Sequence, residues 1–534
     1  MLRWILLVVS LVVLTIYIIE IFGHDPLPPH SGNKEIDMPL DTYGFGATKR
    51  LLIFDLTEIG SAENIDLSDK KFAKLTISDS GTNESYTIGI EVKGSGLSER
   101  EKLNLGFEFW SAIEDDTPCT SIATCEDDKE EIFDFGEKYE DWVLRGGYNE
   151  QTLTRDAAAF SLVGGILEHR LVEVLFKFGE KHTYEGVYLL IPAIQRRFIE
   201  KKMNWESGGK KEDCDDNDYN INKVSLIIEH TIASRGRKYP CELFKQYSVK
   251  MRYPKCEFYD EEGVATCREE YMDRTNHFAS VLNWKNTSEV TLNIQSFVNT
   301  YYAEMLMRED DFPYTSQYFY VNPDNSKLYS GPRWDYDGTY WRVASITGWH
   351  INNLGYYPQD PIQLWIHLGK HQPFIDAVKN NNDTILQNKQ IYFNVLNQRL
   401  QQYKNGYFDR EIERWGLFNK KRPLQTDIVS VNYGVDGKSK ESFEDEIEFM
   451  KKKVEDRTEW MLQHIDAFNG FEVSNKNNQH TILVLNLLLP SLLLTVTIGY
   501  WIYYVVERKD FDYIFTRVTS NKVKYRKIEY RVDI

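Results

Sequence analysis

The sequence predicts a two-lobed α+β fold in which a strand-rich N-terminal half precedes a helix-rich C-terminal half. Three observations predict it. Short strand patterns separated by turn residues dominate residues 50–110. Apolar residues with helical spacing dominate from residue 361 onward. An acidic stretch at 294–341 lies at the junction, and a cleft between two lobes is a natural place for a ligand.

Two apolar segments bracket the chain of 534 residues. Residues 1–24 are predicted to form a signal-anchor or transmembrane segment, and 480–506 a transmembrane helix, because each apolar run is about long enough to cross a bilayer. A cleaved signal peptide is the alternative for the first segment, although no small-x-small site follows it.

Charge predicts the orientation of these two segments. The tail at 507–534 has eight Lys/Arg against five Asp/Glu, whereas the whole chain has a net charge of −18. Positively charged flanks stay in the cytoplasm. We therefore expect a cytoplasmic tail, a lumenal or extracellular domain, and a membrane protein of the secretory pathway or cell surface. The acidic balance argues against a nucleic-acid partner.

The region between the two segments has features of secreted proteins. Three glycosylation sequons lie there, at Asn83, Asn286 and Asn382. An even number of cysteines fits disulfides in an oxidising compartment. Close spacing favours the pairs 119–125 and 256–267, which leaves 214–241. The six residues are Cys119, Cys125, Cys214, Cys241, Cys256 and Cys267.

The N-terminal half reads as a linker at 25–49 followed by strands. The first strands are predicted at 51–56, 74–78, 86–93 and 102–110. A helix at about 152–167 follows, then a hairpin of 170–178 with 184–191, and a strand at 224–230. Residues 200–290 form an insertion-rich middle. We expect one domain at 50–470, with lobes at about 50–200 and 290–470.

The stretch 294–341 combines a helix, an acidic corner and a hairpin. Apolar spacing predicts a helix over 294–307, and a turn at 322–325 predicts a hairpin of 317–321 with 327–330. Because a hairpin returns the chain to near its start, Asp311, Asp335 and Asp337 are predicted to face one site.

Three converging carboxylates repel one another unless cations neutralise them. Mg²⁺ or Mn²⁺, held by a few carboxylates and by nucleotide phosphates, is the usual solution. The order of helix, loop Asp, hairpin and Asp-x-Asp fits phosphoryl transfer. A structural Ca²⁺ site and glycoside hydrolysis by paired acids are the alternatives.

Helices are predicted throughout the rest of the C-terminal half. Their ranges are 361–368, 373–380, 383–404, 409–415 and an apolar stripe over 443–468.

Several motifs resemble the CotH family, the spore-coat-protein-H kinase-like proteins, over about residues 70–470. They are Trp142-Val-Leu-Arg-Gly, Thr154-Arg-Asp, Tyr184-Glu-Gly-Val-Tyr-Leu-Leu and Gly331-Pro-Arg-Trp-Asp-Tyr-Asp. The resemblance implies an atypical protein-kinase-like fold that uses ATP with Mg²⁺ or Mn²⁺ to phosphorylate Ser or Thr of proteins. Similar domains on some fungal surfaces act as adhesins.

The resemblance also implies residue roles. Asp311 would be the catalytic residue that orients the substrate hydroxyl and accepts its proton. Asp335 and Asp337 would hold the metal. Trp334 would wall the nucleotide pocket, and Lys102 would contact phosphates.

Two positions depart from the family pattern. Ser316 stands where the family often has Asn, and Pro192 stands where it usually has Glu. The first change affects a metal ligand and the second the segment that meets adenine. The predicted function is a membrane-anchored kinase acting on Ser/Thr of secretory or cell-surface proteins. The alternative is a surface adhesin or receptor on a catalytically impaired pseudokinase scaffold.

Overall fold

All the residues that the computed structural model describes fall in one of two units of the chain. A second unit, 353–356 with 474–534, falls outside them. The described residues are 50–60, 67–79, 81–93, 102–113, 119–121, 124–147, 150, 152–205, 225–230, 243–244, 249–253, 257–259, 265–267, 273, 277–278, 280–282, 291–309, 312–313, 315–324, 327–339, 349, 363–415 and 442–470.

The N-terminal part is a sheet of eight strands in the order β3-β2-β1-β7-β8-β6-β4-β5. Strand β4 also pairs with β3, so seven of the strands form a closed circuit without a free edge. Strands β1 and β7 pair in parallel, and the other pairings are antiparallel. The strands are β1 Arg50–Asp55, β2 Lys71–Asp79, β3 Thr82–Val92, β4 Leu105–Ala112, β5 Cys125–Asp127, β6 Asp141–Arg145, β7 Arg170–Phe178 and β8 Lys181–Pro192.

A second sheet has six strands in the order β10-β11-β9-β15-β16-β14, and β12 pairs with β13 separately. The central hairpin, β15 with β16, has the bounds that the sequence predicts. The strands are β9 Leu226–His230, β10 Leu243–Phe244, β11 Val249–Tyr253, β12 Glu257–Tyr259, β13 Ala265–Cys267, β14 Thr291–Leu292, β15 Gln317–Val321 and β16 Lys327–Ser330.

Helices dominate the C-terminal part, as predicted. Helix α3 has its predicted bounds and begins where the Asn293 side chain accepts a hydrogen bond from the Ser296 amide (3.0 Å). The helices are α1 Arg155–Ser161, α2 Arg196–Met203, α3 Ile294–Met307, α4 Gln363–Leu368, α5 Gln372–Lys379, α6 Asn382–Lys404, α7 Asp409–Trp415 and α8 Phe443–His464. Together with the sheets they make a mixed α+β fold, which confirms the predicted class.

Helix α1 is shorter than the predicted range of 152–167. At its start the Glu150 carboxylate accepts hydrogen bonds from the amides of Thr152 and Thr154 (3.0 and 2.6 Å), which holds those residues in a turn before the helix. At its end Leu162 has ψ 158°, an extended conformation that stops helical hydrogen bonding.

The buried guanidinium of Arg333 connects α1 to α3. It donates to the carbonyls of Ala159, Leu162 and Asn299 at 2.9–3.1 Å, and also to the carbonyl of Val163. These carbonyls lie at the end of α1, just after it, and within α3. Arg333 therefore fixes the segment that carries the next residues, Trp334 to Asp337, against both helices.

The membrane predictions need correction. No helix in the part of the chain described above is long and apolar enough to cross a bilayer. The predicted transmembrane segments, the lipid bilayer as a partner, and the secretory-pathway or cell-surface localisation are therefore not supported. The segments 1–24 and 480–506 and the tail 507–534 lie outside the described residues.

The structure contains the predicted disulfide between Cys119 and Cys125. Cys214, Cys241 and Cys256 lie outside the described residues, so the other two pairings stay predictions. Among the sequons, Asn83 on β3 and Asn382 at the start of α6 are exposed. The third, at 286, lies outside the described residues.

Candidate active site

Arg145, the last residue of β6, lies among three carboxylates. Its Nε donates to Asp156 Oδ2 (2.9 Å) and its Nη2 to Asp335 Oδ1 (2.6 Å). The same Nη2 is 3.9 Å from Asp337 Oδ2. The structure thus brings Asp335 and Asp337 together, and it adds Arg145 and Asp156 to them.

The backbone at Asp335 has a left-handed conformation, with φ 68°. The next amide, that of Tyr336, donates to Asp156 Oδ1 (2.7 Å) and so holds this turn in place. From the other side, the Ser316 hydroxyl donates to Asp335 Oδ2 (3.3 Å). Asp311 lies outside the described residues, but its loop between α3 and β15 ends at Ser316.

The cluster has an excess of negative charge. Burial lowers the pKa of Arg145, but the three neighbouring carboxylates outweigh it and hold that pKa above its usual range. Burial raises the pKa of Asp156, although Arg145 and the Tyr336 amide act in the opposite direction. With all three carboxylates ionised, one guanidinium leaves two negative charges, which is the charge that a divalent cation neutralises.

The donors fit a magnesium-type cation. The side chains of Asp335 and Asp337 are 34% and 23% exposed, so their oxygens can reach a ligand. Within the described ranges there is no group of three or more His, Cys, Asp or Glu placed to hold a metal. Two carboxylates nevertheless suffice where substrate phosphates complete the shell, as is common for Mg²⁺.

A small pocket opens beside the cluster and encloses about 10 Å³, roughly room for one water. Gly147 shapes one wall: it has φ 65°, and a Cβ there would lie 2.8 Å from the Glu150 carbonyl oxygen. The lining residues are Asn104, Arg145, Gly147, Glu150, Leu153, Asp156 and Asp337.

Trp334, the predicted wall of a nucleotide pocket, is half-buried next to the cluster. The Arg145 guanidinium lies 5.5 Å from the centroid of its ring. The Tyr318 ring meets the same indole in a T-shaped contact, with the ring centroids 6.3 Å apart. These contacts hold the indole beside Asp335.

Lys102, the predicted phosphate contact, is buried in an ion pair. Its Nζ donates to Glu411 Oε1 (2.5 Å) and to the Val187 carbonyl (2.7 Å), and it lies 4.7 Å from the centre of the Tyr188 ring. The other carboxylate oxygen of Glu411 accepts from the Val187 amide (2.8 Å). Two of the three N–H donors of the ammonium are therefore used by Glu411 and the Val187 carbonyl.

Helix α7, which carries Glu411, binds strand β8 through further polar contacts. Arg414 Nε donates to the carbonyl of Tyr184 (2.9 Å), and Trp415 Nε1 donates to that of Glu185 (3.1 Å). The register of β7 with β8 shifts between Val174 and Leu175, which leaves Glu185 without a partner residue opposite it. The shift therefore exposes β8 backbone groups to α7.

Sequence reasoning did not assign three members of these networks: Arg145, Asp156 and Glu411. The first two stand in the motifs that carry the family resemblance, next to apolar residues of a buried strand and helix, and that unusual placement was an available signal. Glu411 carried no such signal in the sequence, because an acidic residue in an amphipathic helix is ordinarily solvated.

Pro192, one of the two departures from the family pattern, is the last residue of β8 and lies opposite Trp142 of β6.

The sequence matches a protein family described as CotH kinase protein over residues 90–461. No curated protein sequence matches the chain. The family match covers well over half of the chain and includes Lys102, Arg145, Asp335 and Asp337. The chain therefore belongs to the CotH family, as its motifs predict.

Proposed function

We propose that this chain is a metal-dependent kinase that transfers the γ-phosphate of ATP to a Ser or Thr hydroxyl of a protein. The observation that carries the proposal is the set of carboxylates of Asp156, Asp335 and Asp337 around Arg145, beside a pocket. Their excess of negative charge suits a divalent cation, and membership of the CotH family indicates a kinase-related function.

The proposed roles are those that the resemblance to the CotH family implies. Asp335 and Asp337 would hold Mg²⁺ or Mn²⁺, which would neutralise charge on the phosphates. Asp311 would orient the substrate hydroxyl and accept its proton as the oxygen bonds to the γ-phosphorus and the bond to ADP breaks. The contact between Ser316 and Asp335 supports a shared site, because Ser316 ends the loop that carries Asp311.

The domain division is part of the proposal. The closed circuit of strands would be the N-lobe, about residues 50–200, and the region from about 290 to 470 the helix-rich C-lobe of a kinase-like fold. The middle at about 200–290 would be an insertion. Trp334 would wall the nucleotide pocket, since its indole lies beside Arg145 and Asp335.

The test is phosphate transfer by the purified chain. The chain is incubated with γ-labelled ATP, Mg²⁺ or Mn²⁺, and a Ser/Thr-rich acceptor such as casein. We expect label on Ser or Thr, and a loss of at least about 100-fold in Asp335→Ala, because a metal-binding carboxylate stabilises charge that develops during transfer. Asp466→Ala, at an exposed position, is the matched control. Equal transfer by wild type and Asp335→Ala would refute the proposal.

A binding module without catalysis is the second candidate. Two observations favour it: Arg145 already neutralises Asp335 directly, and Ser316 stands in place of the usual Asn. Thermal unfolding with ATP and Mn²⁺ distinguishes the two. A shift of the melting temperature that needs both ATP and metal supports the kinase, and no shift with any metal supports the binding module.

A further inference from the structure

We infer that Arg145 contacts the phosphate groups of the bound nucleotide, an inference that rests on the proposed function. The pocket beside the carboxylate cluster is lined mainly by acidic side chains among its charged residues. Three of its lining residues, Glu150, Asp156 and Asp337, are acidic, and Arg145 is the cationic one among them. A triphosphate carries several negative charges, so a site for it needs a protein cation in addition to the metal.

Lys102, the predicted phosphate contact, is already engaged in a buried ion pair. Its side chain is 1% exposed and pairs with a Glu411 carboxylate that is 4% exposed. If the ammonium withdrew from this pair towards a phosphate, it would leave a carboxylate buried without its counter-charge, which is strongly unfavourable. Arg145 makes the phosphate contact without that loss.

The two carboxylates that hold Arg145 differ in their burial. Asp156 is 7% exposed and binds Nε, whereas Asp335 is 34% exposed and binds Nη2. The buried carboxylate anchors the base of the guanidinium. When Asp335 and Asp337 hold the cation, the outer nitrogens of Arg145 can turn to phosphate oxygens while Nε stays on Asp156. A guanidinium has five N–H donors, enough for both contacts.

The experiment compares two ligands that differ only in phosphate. Dissociation constants for ATP and for adenosine are measured with Mn²⁺ by calorimetry, on wild type, Arg145→Met and Arg145→Lys. We expect Arg145→Met to weaken ATP binding about tenfold or more and to leave adenosine binding unchanged, since charge-assisted hydrogen bonds to phosphate are lost. Arg145→Lys should fall between, because an ammonium lacks the planar fork. Lys452→Met, on the exposed face of α8, is the control.

Each outcome decides the inference. If Arg145→Met does not fold, the ATP-to-adenosine ratio of Arg145→Lys decides in its place, and a ratio equal to that of wild type overturns the inference. Equal weakening of both ligands also overturns it and indicates a structural role. ATP binding that depends on Arg145 without any phosphate transfer supports the inference and refutes the proposed function. A wild-type chain that binds neither ligand refutes both.

Discussion

Asp156 and Tyr336 lie 180 positions apart in the chain, yet the Tyr336 amide donates to Asp156 Oδ1 at 2.7 Å. The other oxygen of Asp156 accepts from Arg145 Nε at 2.9 Å. One buried carboxylate therefore fixes both the backbone that follows Asp335 and the guanidinium that contacts it. The position of Asp335 depends on Asp156, a residue from the N-terminal half of the fold.

Replacement of Asp156 should destabilise the fold. We expect Asp156→Ala to lower the free energy of unfolding by about 3–5 kcal/mol, because it breaks a buried ion pair and leaves Arg145 Nε and the buried Tyr336 amide without their acceptor. Asp156→Asn retains an acceptor oxygen and should cost about 1–3 kcal/mol. Urea unfolding measures both, with Asp466→Ala as an exposed control expected within about 0.5 kcal/mol of wild type. If Asp156→Ala matched this control, the anchoring role would be wrong.

The ion pair of Lys102 and Glu411 should show strong coupling. Glu411→Ala leaves the buried ammonium without its carboxylate and the Val187 amide without its acceptor, so we expect a loss of about 3–5 kcal/mol. The double variant Lys102→Met/Glu411→Gln should be more stable than Glu411→Ala, because no charge is then buried alone. Equilibrium unfolding of the double variant and of Lys102→Met and Glu411→Gln alone measures the coupling. Glu413→Ala, exposed on the same helix, is the control, and additive losses would contradict the prediction.

Stability should depend on pH through Glu173. Burial raises the pKa of Glu173 to about 7, although Arg410 and the Tyr184 hydroxyl lower it. From pH 4.5 to 7 the folded chain therefore holds a proton that the unfolded chain has released. The stabilisation is fully present below about pH 4.5 and is lost as pH rises through about 7.

The full shift corresponds to about 3 kcal/mol. Glu173→Gln cannot titrate, so its free energy of unfolding should fall less between pH 5 and 8 than that of wild type. Urea midpoints at several pH values check this, and the exposed Glu413→Gln on α7 should retain the wild-type slope. A wild-type slope in Glu173→Gln would show that Glu173 is ionised throughout.

Ser316 should limit the affinity for metal. Its φ of 57° is a conformation that Asn adopts more readily than most residues, so Ser316→Asn should leave the free energy of unfolding within about 0.5 kcal/mol of wild type. An amide oxygen beside Asp335 adds a hard ligand, and we expect the Mn²⁺ concentration for half-saturation, with ATP present, to fall severalfold. Ser316→Ala should raise it. Ser121→Ala, in an exposed turn, controls for the loss of a hydroxyl. Equal Mn²⁺ affinity in all variants would show that Ser316 does not limit the affinity for metal.

Local patterns were sufficient for the elements around the site. Helix α3 and the hairpin of β15 with β16 have their predicted bounds, because a helical stripe, an Asn at the helix start and an Asn-Pro-Asp-Asn turn lie within a few residues of each other. Helix α1 was predicted too long because Leu153 before it and Leu162, Val163 and Ile166 after it are apolar. The tertiary contact of Glu150 and the extended Leu162 set its ends.

By itself, the sequence determined the mixed α+β class, the family, the Cys119–Cys125 disulfide and the proximity of Asp335 to the hairpin, since each depends on residue type and short spacing. Only the tertiary structure decided that β3 closes on β4, that Arg145 joins Asp156 to Asp335, and that Lys102 faces Glu411, 309 positions away. Charges so far apart in sequence carry no local pattern, because their pairing follows from how the sheets and helices are packed together. That packing makes Arg145 the cation beside the two carboxylates.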